Sequence, residues 1–317
     1  MRSMTTRPHH SVAALAAFCA MAASAQELAI LGGGTWTDEP HERTHGWMVE
    51  YLHPLDGPWA ASFAYQNEGH VPGHHRDGHA VQLWLRTPPA RGWSLAAGFG
   101  PYYSFDTALA ESPGEHQDAH GWGAITTVAI GWRDGASLWS WQVRVNHVET
   151  RNGPDSTMLL VGVGRHLEQD ATFGVRAAGR REELSLATGQ TIVNSFESQG
   201  ARARAIEYRH DFGGVLRGSV AWISEGDARL IRRNGVAAQA WVEPTFDDRT
   251  YSLGLGIGPY VAIDDYRSEG HRTLGLVSTT FSRRFGHAWS ARITWHRTAT
   301  RYDRDSDIVL LGMGYRF

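Results

Sequence analysis

The chain contains two copies of one sequence module. The segment from Glu68-Gly69 to Gln82-Leu83-Trp84 returns, without a gap, 225 − 68 = 157 residues later. There it runs from Glu225-Gly226 to Gln239-Ala240-Trp241. Three further blocks recur in order: Val49 to Tyr51 as Ile206 to Tyr208, Ser94 to Tyr102 as Ser252 to Tyr260, and Trp141 to Gly164 as Trp289 to Gly314. We interpret residues 26–167 and 183–317 as two repeats joined by a linker at 168–182.

Each repeat predicts eight β-strands. Apolar and small residues alternate with period two, as in Leu253, Leu255 and Ile257 with glycines between them. The connections alternate between tight turns, such as His53–Pro58, and long polar segments, such as Asn67–Gly78 and Asp106–Gly121. Short turns on one side and long loops on the other are typical of up-and-down membrane barrels with an even strand count.

The chain begins with the pattern of a secretory signal. Arg2 and Arg7 precede a short apolar run over 12–23, and Ala23-Ser24-Ala25 offers a small-residue cleavage site. We expect residues 1–25 to be removed. Because the single cysteine, Cys19, lies in this segment, the mature chain can form no disulfide and no cysteine-based site.

After residue 25 no apolar run is long enough for a transmembrane helix, and the mean hydropathy of the full chain is −0.36. Strands that alternate lipid-facing and lumen-facing residues can cross a membrane at that hydropathy. The chain ends in Gly314-Tyr315-Arg316-Phe317. An alternating last strand with a terminal aromatic residue resembles the assembly signal of outer-membrane β-barrels, with Tyr315 and Phe317 carrying it.

This resemblance implies an all-β, transmembrane, antiparallel up-and-down barrel over 26–317, in the outer membrane of a Gram-negative bacterium. The preferred arrangement is one barrel of about 16 strands, built from two eight-strand repeats. Two eight-stranded barrels in tandem, or one barrel of 12–14 strands, are the alternatives. The expected partners are outer-membrane lipid, lipopolysaccharide and the barrel-assembly machinery. The net charge of −3 gives no reason to expect nucleic acid, and no cofactor is expected.

The polar phase of the strands predicts a lumen lined by charged, amide and indole side chains. Both repeats contribute to it: Glu50, Glu68, Gln82, Trp84 and Arg144 from the first, and Glu207, Glu225, Gln239, Trp241 and Arg292 from the second. One interpretation is a structural or pore-lining network in which Glu and Arg pair. The other is a solute or saccharide path in which Trp84 and Trp241 stack on sugar rings.

The segment 68–79 concentrates functional side chains. His70, His74, His75 and Asp77 could bind a metal such as zinc. The second repeat replaces all three of these histidines but retains Glu-Gly, an arginine, Gly, Gln and Trp. A loop in which Glu68 pairs with Arg76 is therefore favoured over a metal site. Asp77 and Arg233, the equivalent of Arg76 in the second repeat, are also placed on loops.

His147, Glu149 and Ser156 form a weaker catalytic candidate. A histidine near a serine and a carboxylate can activate a hydroxyl nucleophile. The segment faintly resembles barrel lipid A deacylases, although Glu149 stands where that pattern has serine, and His147 falls in the lipid-facing phase.

Three functions follow from these residues. The leading hypothesis is a porin-like channel for small solutes or an exported saccharide. The alternatives are an outer-membrane lipid-modifying hydrolase and a non-conducting scaffold or adhesion barrel. An open sixteen-stranded lumen would favour transport, whereas a smaller or plugged barrel would favour the alternatives.

Overall fold

The structure is a computed structural model that describes residues 26–38, 41–71, 73–110, 116–135, 137–151, 153–167, 180–195, 199–247, 249–266 and 271–317. The predicted signal segment 1–25 and linker residues 168–179 lie outside this part of the chain. Within it, no helix is long and apolar enough to cross a membrane.

The first repeat forms a closed antiparallel barrel of eight strands, each paired with its neighbours in sequence. The first strand pairs with the eighth, with Ile30 opposite Val163, so the ring closes within the repeat. The strands of this barrel, called barrel one, are β1 (Gln26–Thr37), β2 (Arg43–Pro54), β3 (Trp59–Val71), β4 (His74–Arg86), β5 (Trp93–Leu109), β6 (His116–Trp132), β7 (Trp139–Thr150) and β8 (Ser156–Leu167).

The second repeat forms barrel two in the same way. Its strands are β9 (Glu182–Val193), β10 (Gly200–Gly213), β11 (Leu216–Asp227), β12 (Arg232–Val242), β13 (Thr245–Phe246), β14 (Tyr251–Asp264), β15 (His271–Phe285), β16 (Trp289–Ala299) and β17 (Ser306–Arg316). Strand β13 is a two-residue addition beside β14. The ring closes where β12 pairs with β14 and β17 pairs with β9.

The all-β fold and the sixteen barrel strands from two eight-strand repeats are confirmed. The preferred closure into one sixteen-stranded barrel is wrong, and the tandem alternative holds. Strand β8 pairs with β1 instead of β9. Each module therefore satisfies its own edge strands, and no open sheet edge remains in either ring.

The outer surfaces of both barrels are apolar. Large aliphatic side chains point outward and are exposed, among them Ile30, Leu83, Val128, Val145, Leu186, Val220, Ile257 and Leu311. Two exposed indoles, Trp122 and Trp132, lie ten residues apart on β6. With ~3.3 Å per residue and a strand tilt of roughly 40°, they stand about 25 Å apart along the barrel axis, which matches the apolar belt of membrane barrels.

The strands extend further than the sequence predicts at the long-loop end. Residues 67–71 and 74–78 continue β3 and β4, and β5 reaches Leu109. Arg76 and Asp77 therefore lie on β4, and Arg233 lies on β12, instead of on loops. Polar residues in these segments are typical of loops, but here they belong to strands. Burial of their side chains is possible because they form the ion pairs described below.

The two barrels contact each other near the long-loop end. Trp295 of barrel two packs on Tyr65 and His79 of barrel one, with ring centroids 4.7 and 5.6 Å apart. Arg297 lies between two carboxylates: its Nη2 is 3.3 Å from Oδ1 of Asp77, and its Nη1 is 2.7 Å from Oδ2 of Asp307. Side chains that would otherwise face lipid are thus paired across the contact.

A second group of polar contacts extends the inter-barrel contact. Nε2 of His120 lies 2.6 Å from Oδ2 of Asp305. The backbone N–H of Asp305 donates to Asp118 at 2.9 Å, and that of Asp118 donates to Asp303 at the same distance. The contact therefore couples both side chains and backbone of the two barrels.

The last strand ends beside the first strand of barrel two. Phe317 and Glu182 exchange backbone hydrogen bonds of 2.9 and 3.3 Å. The side chains of Tyr315 and Phe317 are exposed on the outer face. The terminal aromatic residues therefore stand on the short-turn side, next to the closing seam of barrel two.

Candidate functional site

A buried ion pair recurs at the long-loop end of both barrels. In barrel one, Nε of Arg76 donates to Glu68 at 2.9 Å, and the hydroxyls of Tyr102 and Ser156 each donate to Glu68 at 2.6 Å. In barrel two, Arg233 donates to Glu225 at 2.6 and 2.8 Å. Ser306 donates to Glu225 at 2.6 Å and accepts from Arg233 at 2.7 Å. The pairing of Glu68 with Arg76 agrees with the sequence prediction.

The Glu-Gly pair that both repeats retain forms a β-bulge. The register of β3 and β4 shifts between Asn67 and Gly69, and that of β11 and β12 shifts between Ser224 and Gly226. Both glycines have positive φ, 88° and 75°. A bulge with a left-handed glycine re-aims the neighbouring side chain. Here it turns the glutamate into the barrel, opposite its arginine.

A tryptophan lies below this cluster in each barrel. The indole N–H of Trp84 donates to Ser62 at 2.8 Å, and that of Trp241 donates to Ser219 at 2.9 Å. An added Cβ at Gly98 would lie 2.8 Å from the Trp84 ring, and one at Gly256 would lie 2.5 Å from the Trp241 ring. Glycine on the facing strand is therefore what lets the indole lie flat inside the barrel.

An apolar layer fills barrel one between the Glu68 cluster and Trp84. Its members are at most 1 % exposed: Leu31, Met48, Tyr102, Ile125, Met158 and Leu160. Barrel two has a corresponding layer that includes Ile223, Tyr260, Leu276, Ile308 and Leu310. An eight-stranded barrel is just wide enough for side chains to fill it, and both barrels are filled at the level of this layer.

Barrel one contains a cavity of about 420 Å³ at its short-turn end. Residues of the turns at 86–94 and 132–135 form its mouth, and Trp84 and Arg144 lie at its inner wall. Four arginines line it, Arg86, Arg91, Arg133 and Arg144, against two carboxylates, Glu27 and Asp134. Arginines therefore outnumber carboxylates in the lining, beside apolar residues such as Leu52, Trp84 and Ala129.

Arg144 is held at the inner wall by buried partners. Its Nη2 lies 2.6 Å from Glu50, and its Nε donates to Gln142 at 2.9 Å. The guanidinium also lies 5.1 Å above the Trp84 ring. Its Nη1 has no hydrogen-bond partner among the described residues.

Barrel two is filled by an ion pair at the same level. Arg209 stands where barrel one has Leu52, and Glu243 stands where it has Arg86, each at the repeat offset (209 − 52 = 243 − 86 = 157). Nη1 of Arg209 donates to Glu243 at 2.7 Å, and its guanidinium lies 4.0 Å over the Trp241 ring. A cavity of about 20 Å³ adjoins Glu207 and Arg292.

The ion pair of barrel two belongs to a longer chain of charges. Arg209 also contacts Glu207 at 2.9 Å, and Arg292 connects Glu207 to Glu183 at 3.0 and 2.8 Å. Arginine and glutamate therefore alternate across the interior. Each charge has an opposite neighbour, which is what makes burial of so many charges tolerable.

All ten residues predicted to line a lumen are buried inside the two barrels. They contact other interior side chains, as Glu50 contacts Arg144 and Gln82 donates to Thr127. Trp84 and Trp241 each have an arginine over the ring. The sequence reasoning missed the tyrosine and serine of each Glu–Arg cluster, the serines that bind the indoles, and the Arg209–Glu243 pair. Recurrence of Tyr102 as Tyr260 and Ser156 as Ser306 was the available signal.

The catalytic candidates are not brought together. The His147 side chain is 40 % exposed on the outer face, where its Nδ1 lies 3.0 Å from the Thr157 hydroxyl. The Glu149 side chain is more exposed than that of His147, and its Oε1 lies 3.7 Å from Nε2 of His147. Ser156 points into the barrel and donates to Glu68. The histidine and the serine therefore lie on opposite faces of the sheet.

The metal candidates are also dispersed. The rings of His70 and His75 stack at 4.0 Å, whereas Nδ1 of His74 lies 3.1 Å from Asp106. Asp77 accepts a hydrogen bond from the Tyr65 hydroxyl of barrel one at 3.0 Å and lies 3.3 Å from Arg297 of barrel two. Within the described ranges, no group of three or more His, Cys, Asp or Glu residues is arranged to hold a metal ion.

No protein-family model matches the chain, and no curated protein matches it in sequence. Solved structures similar to it are outer-membrane β-barrel proteins. The N-terminal β-barrel domain of Pseudomonas aeruginosa OprF is 11% identical, covers 45% of this chain and 99% of its own, and has a TM-score of 0.36. The Yersinia pestis attachment invasion locus protein Ail is 9% identical over 45% of this chain and 99% of its own, with a TM-score of 0.35.

A longer alignment is found with the Pseudomonas putida toluene transporter TodX. It is 8% identical, covers 93% of this chain and 90% of its own, and has a TM-score of 0.23. At such identities the likeness concerns the fold alone.

Proposed function

We propose that this chain is a non-conducting outer-membrane scaffold made of two closed barrels, which works through the joined surface at its long-loop end. One observation carries this proposal. Across each barrel, a layer of fully buried apolar side chains separates the Glu–Arg cluster from the short-turn end. A solute would have to displace that layer to pass.

The outer surface supports the membrane location. The exposed aliphatic belt and the indoles about 25 Å apart suit a bilayer, with lipid and lipopolysaccharide as the surrounding partners. Export after cleavage of residues 1–25 and assembly through Tyr315 and Phe317 belong to the same proposal. Replacing Phe317 with alanine should lower the amount of folded protein in the outer membrane, measured by heat-modifiable gel migration.

Conductance in planar bilayers tests the proposal. The purified chain should give no conductance steps, while a general porin in the same bilayers gives them. Steps of porin size would contradict the scaffold proposal.

A narrow channel through barrel one is the second candidate. The cavity of about 420 Å³ favours it, because it brings solvent about as far into barrel one as Trp84 and Arg144. Passage would then require the Met48 and Met158 layer to move. Small conductance steps that increase when both methionines are replaced with alanine would support this candidate, whereas silence of that variant would remove it.

A further inference from the structure

The cavity of barrel one has the composition of a binding site for a small anion. Its volume of about 420 Å³ lies within the roughly 300–1,000 Å³ of ligand pockets. The lining carries four arginines against two carboxylates, and Glu50 beside Arg144 adds a third carboxylate, so the site keeps a net positive charge. Guanidinium groups bind carboxylates and phosphates in preference to neutral groups.

Arg144 points to a ligand independently of this charge balance. It is only 3 % exposed, lines the cavity, and leaves Nη1 without a hydrogen-bond partner among the described residues. A buried donor without a partner is costly, and a bound anionic oxygen would satisfy it. Glu50 and Gln142 hold the rest of the guanidinium, so its orientation is fixed before a ligand arrives.

In barrel two, an ion pair occupies the corresponding space. There the carboxylate of Glu243 lies 2.7 Å from Arg209, and the pair occupies the level at which Leu52 and Arg86 leave the cavity open. In barrel one, the shorter Leu52 leaves the space empty, and Arg86 adds a positive charge where barrel two has a negative one.

We propose that barrel one binds a small solute carrying a carboxylate or phosphate group, which enters from the short-turn end. Arg86, Arg91 and Arg133 attract the anion at the mouth, and Nη1 of Arg144 receives one of its oxygens at the inner wall. In the outer membrane this end faces the periplasm, so the ligand comes from that compartment.

Three matched probes test the proposal by calorimetric titration of the full chain in detergent. Glucuronate and glucose 6-phosphate carry the two anionic groups, and glucose is the neutral control. Both anions, or one of them, should bind, and glucose should not. The anion that binds identifies the group. Binding of glucose as strong as that of the anions, or no binding of either anion, would overturn the proposal.

Two variants locate the binding. Leu52→Arg with Arg86→Glu copies the ion pair of barrel two into the cavity and should abolish binding. Arg86→Gln with Arg133→Gln changes only the mouth and should weaken binding about tenfold or more, since each charge-assisted bond contributes on the order of a factor of ten. Arg151→Gln, an exposed position at the opposite end, should leave binding unchanged. Undiminished binding in a folded mouth variant would overturn the proposal, as would equal weakening in Arg151→Gln.

Discussion

Barrel one and barrel two share one plan but differ at the short-turn end. Both have the Glu–Arg cluster with its bulge, the apolar layer and the serine-bound tryptophan. Below the tryptophan, barrel one has a cavity lined by Leu52 and Arg86, whereas barrel two has Arg209 paired with Glu243. The shared parts are the requirements of a filled barrel. The differing parts show where one copy was free to acquire another use.

The largest expected effect concerns the shared ion pair. Glu225→Ala should lower the free energy of unfolding by about 3–5 kcal/mol, because it leaves the fully buried Arg233 without its carboxylate. Glu68→Ala should cost less, since the Arg76 side chain is 6 % exposed, whereas that of Arg233 is 0 % exposed. Urea unfolding in lipid vesicles measures both. A loss below 1 kcal/mol for Glu225→Ala would show that the pair is not essential to the shared plan.

The next effect concerns the difference between the barrels. Leu52→Arg alone should destabilise barrel one by about 1–3 kcal/mol, because it places a second guanidinium near Arg86 without a carboxylate. Adding Arg86→Glu should recover at least about 1 kcal/mol through the new ion pair. Unfolding of the two single variants and the double variant provides the cycle. If the changes in the free energy of unfolding of the two single variants simply add in the double variant, the side chains at positions 52 and 86 do not contact each other in barrel one as Arg209 and Glu243 do in barrel two.

The inter-barrel contact should give a smaller effect. Asp77→Asn copies the residue that barrel two has at the equivalent position, Asn234, and removes the charge facing Arg297. We expect a loss of about 1–2 kcal/mol, moderated because Arg297 keeps Asp307. Differential scanning calorimetry should also show the two barrels unfolding less cooperatively.

Asp265→Asn provides the control for that variant. Asp265 forms an exposed ion pair with Arg232 at 3.4 Å, which should contribute less than about 0.5 kcal/mol. Equal losses in the two variants would mean that Asp77 contributes nothing specific to the contact between the barrels.

The smallest effect is expected at His147. Its side chain is on the outer face, apart from Ser156, so His147→Ala should change the free energy of unfolding by no more than about 0.5 kcal/mol. The mass spectrum of lipid A should be the same with either chain overexpressed. A change in lipid A that the variant abolishes would instead support the hydrolase.

The sequence was sufficient for the strands, the repeat and the Glu68–Arg76 pair. Alternation and turn residues are local signals, and two copies reveal which residues the plan requires. The closure of each repeat into its own barrel was not predictable from these signals, because the residue pattern of β8 does not indicate whether this strand pairs with β1 or with β9. The first repeat ends in Leu167, without a terminal aromatic residue, yet the strand that it ends closes barrel one on β1.

The cavity was missed for a related reason. Residues that the repeats share indicate their common structure, whereas the cavity arises where the repeats differ. Barrel one has Leu52 and Arg86 at the positions where barrel two has Arg209 and Glu243. The long-loop ends were also misassigned, since polar residues such as Arg76 and Asp77 resemble a loop until their partners across the barrel and in barrel two are known.

Disulfide cross-linking distinguishes two separately closed barrels from one sixteen-stranded ring. The described residues contain no cysteine, and replacing Cys19 with serine removes the one cysteine of the full sequence, so engineered pairs report without background. Ile30 lies opposite Val163 on β1 and β8, and Leu186 lies opposite Met313 on β9 and β17. Directly opposed strand residues are within disulfide range.

The two-barrel architecture predicts that cysteines at each of these pairs cross-link in the folded membrane protein, while cysteines at Ile30 and Met313 do not. Cross-linking of Ile30 with Met313, without cross-linking of the other two pairs, would show one sixteen-stranded ring and contradict it.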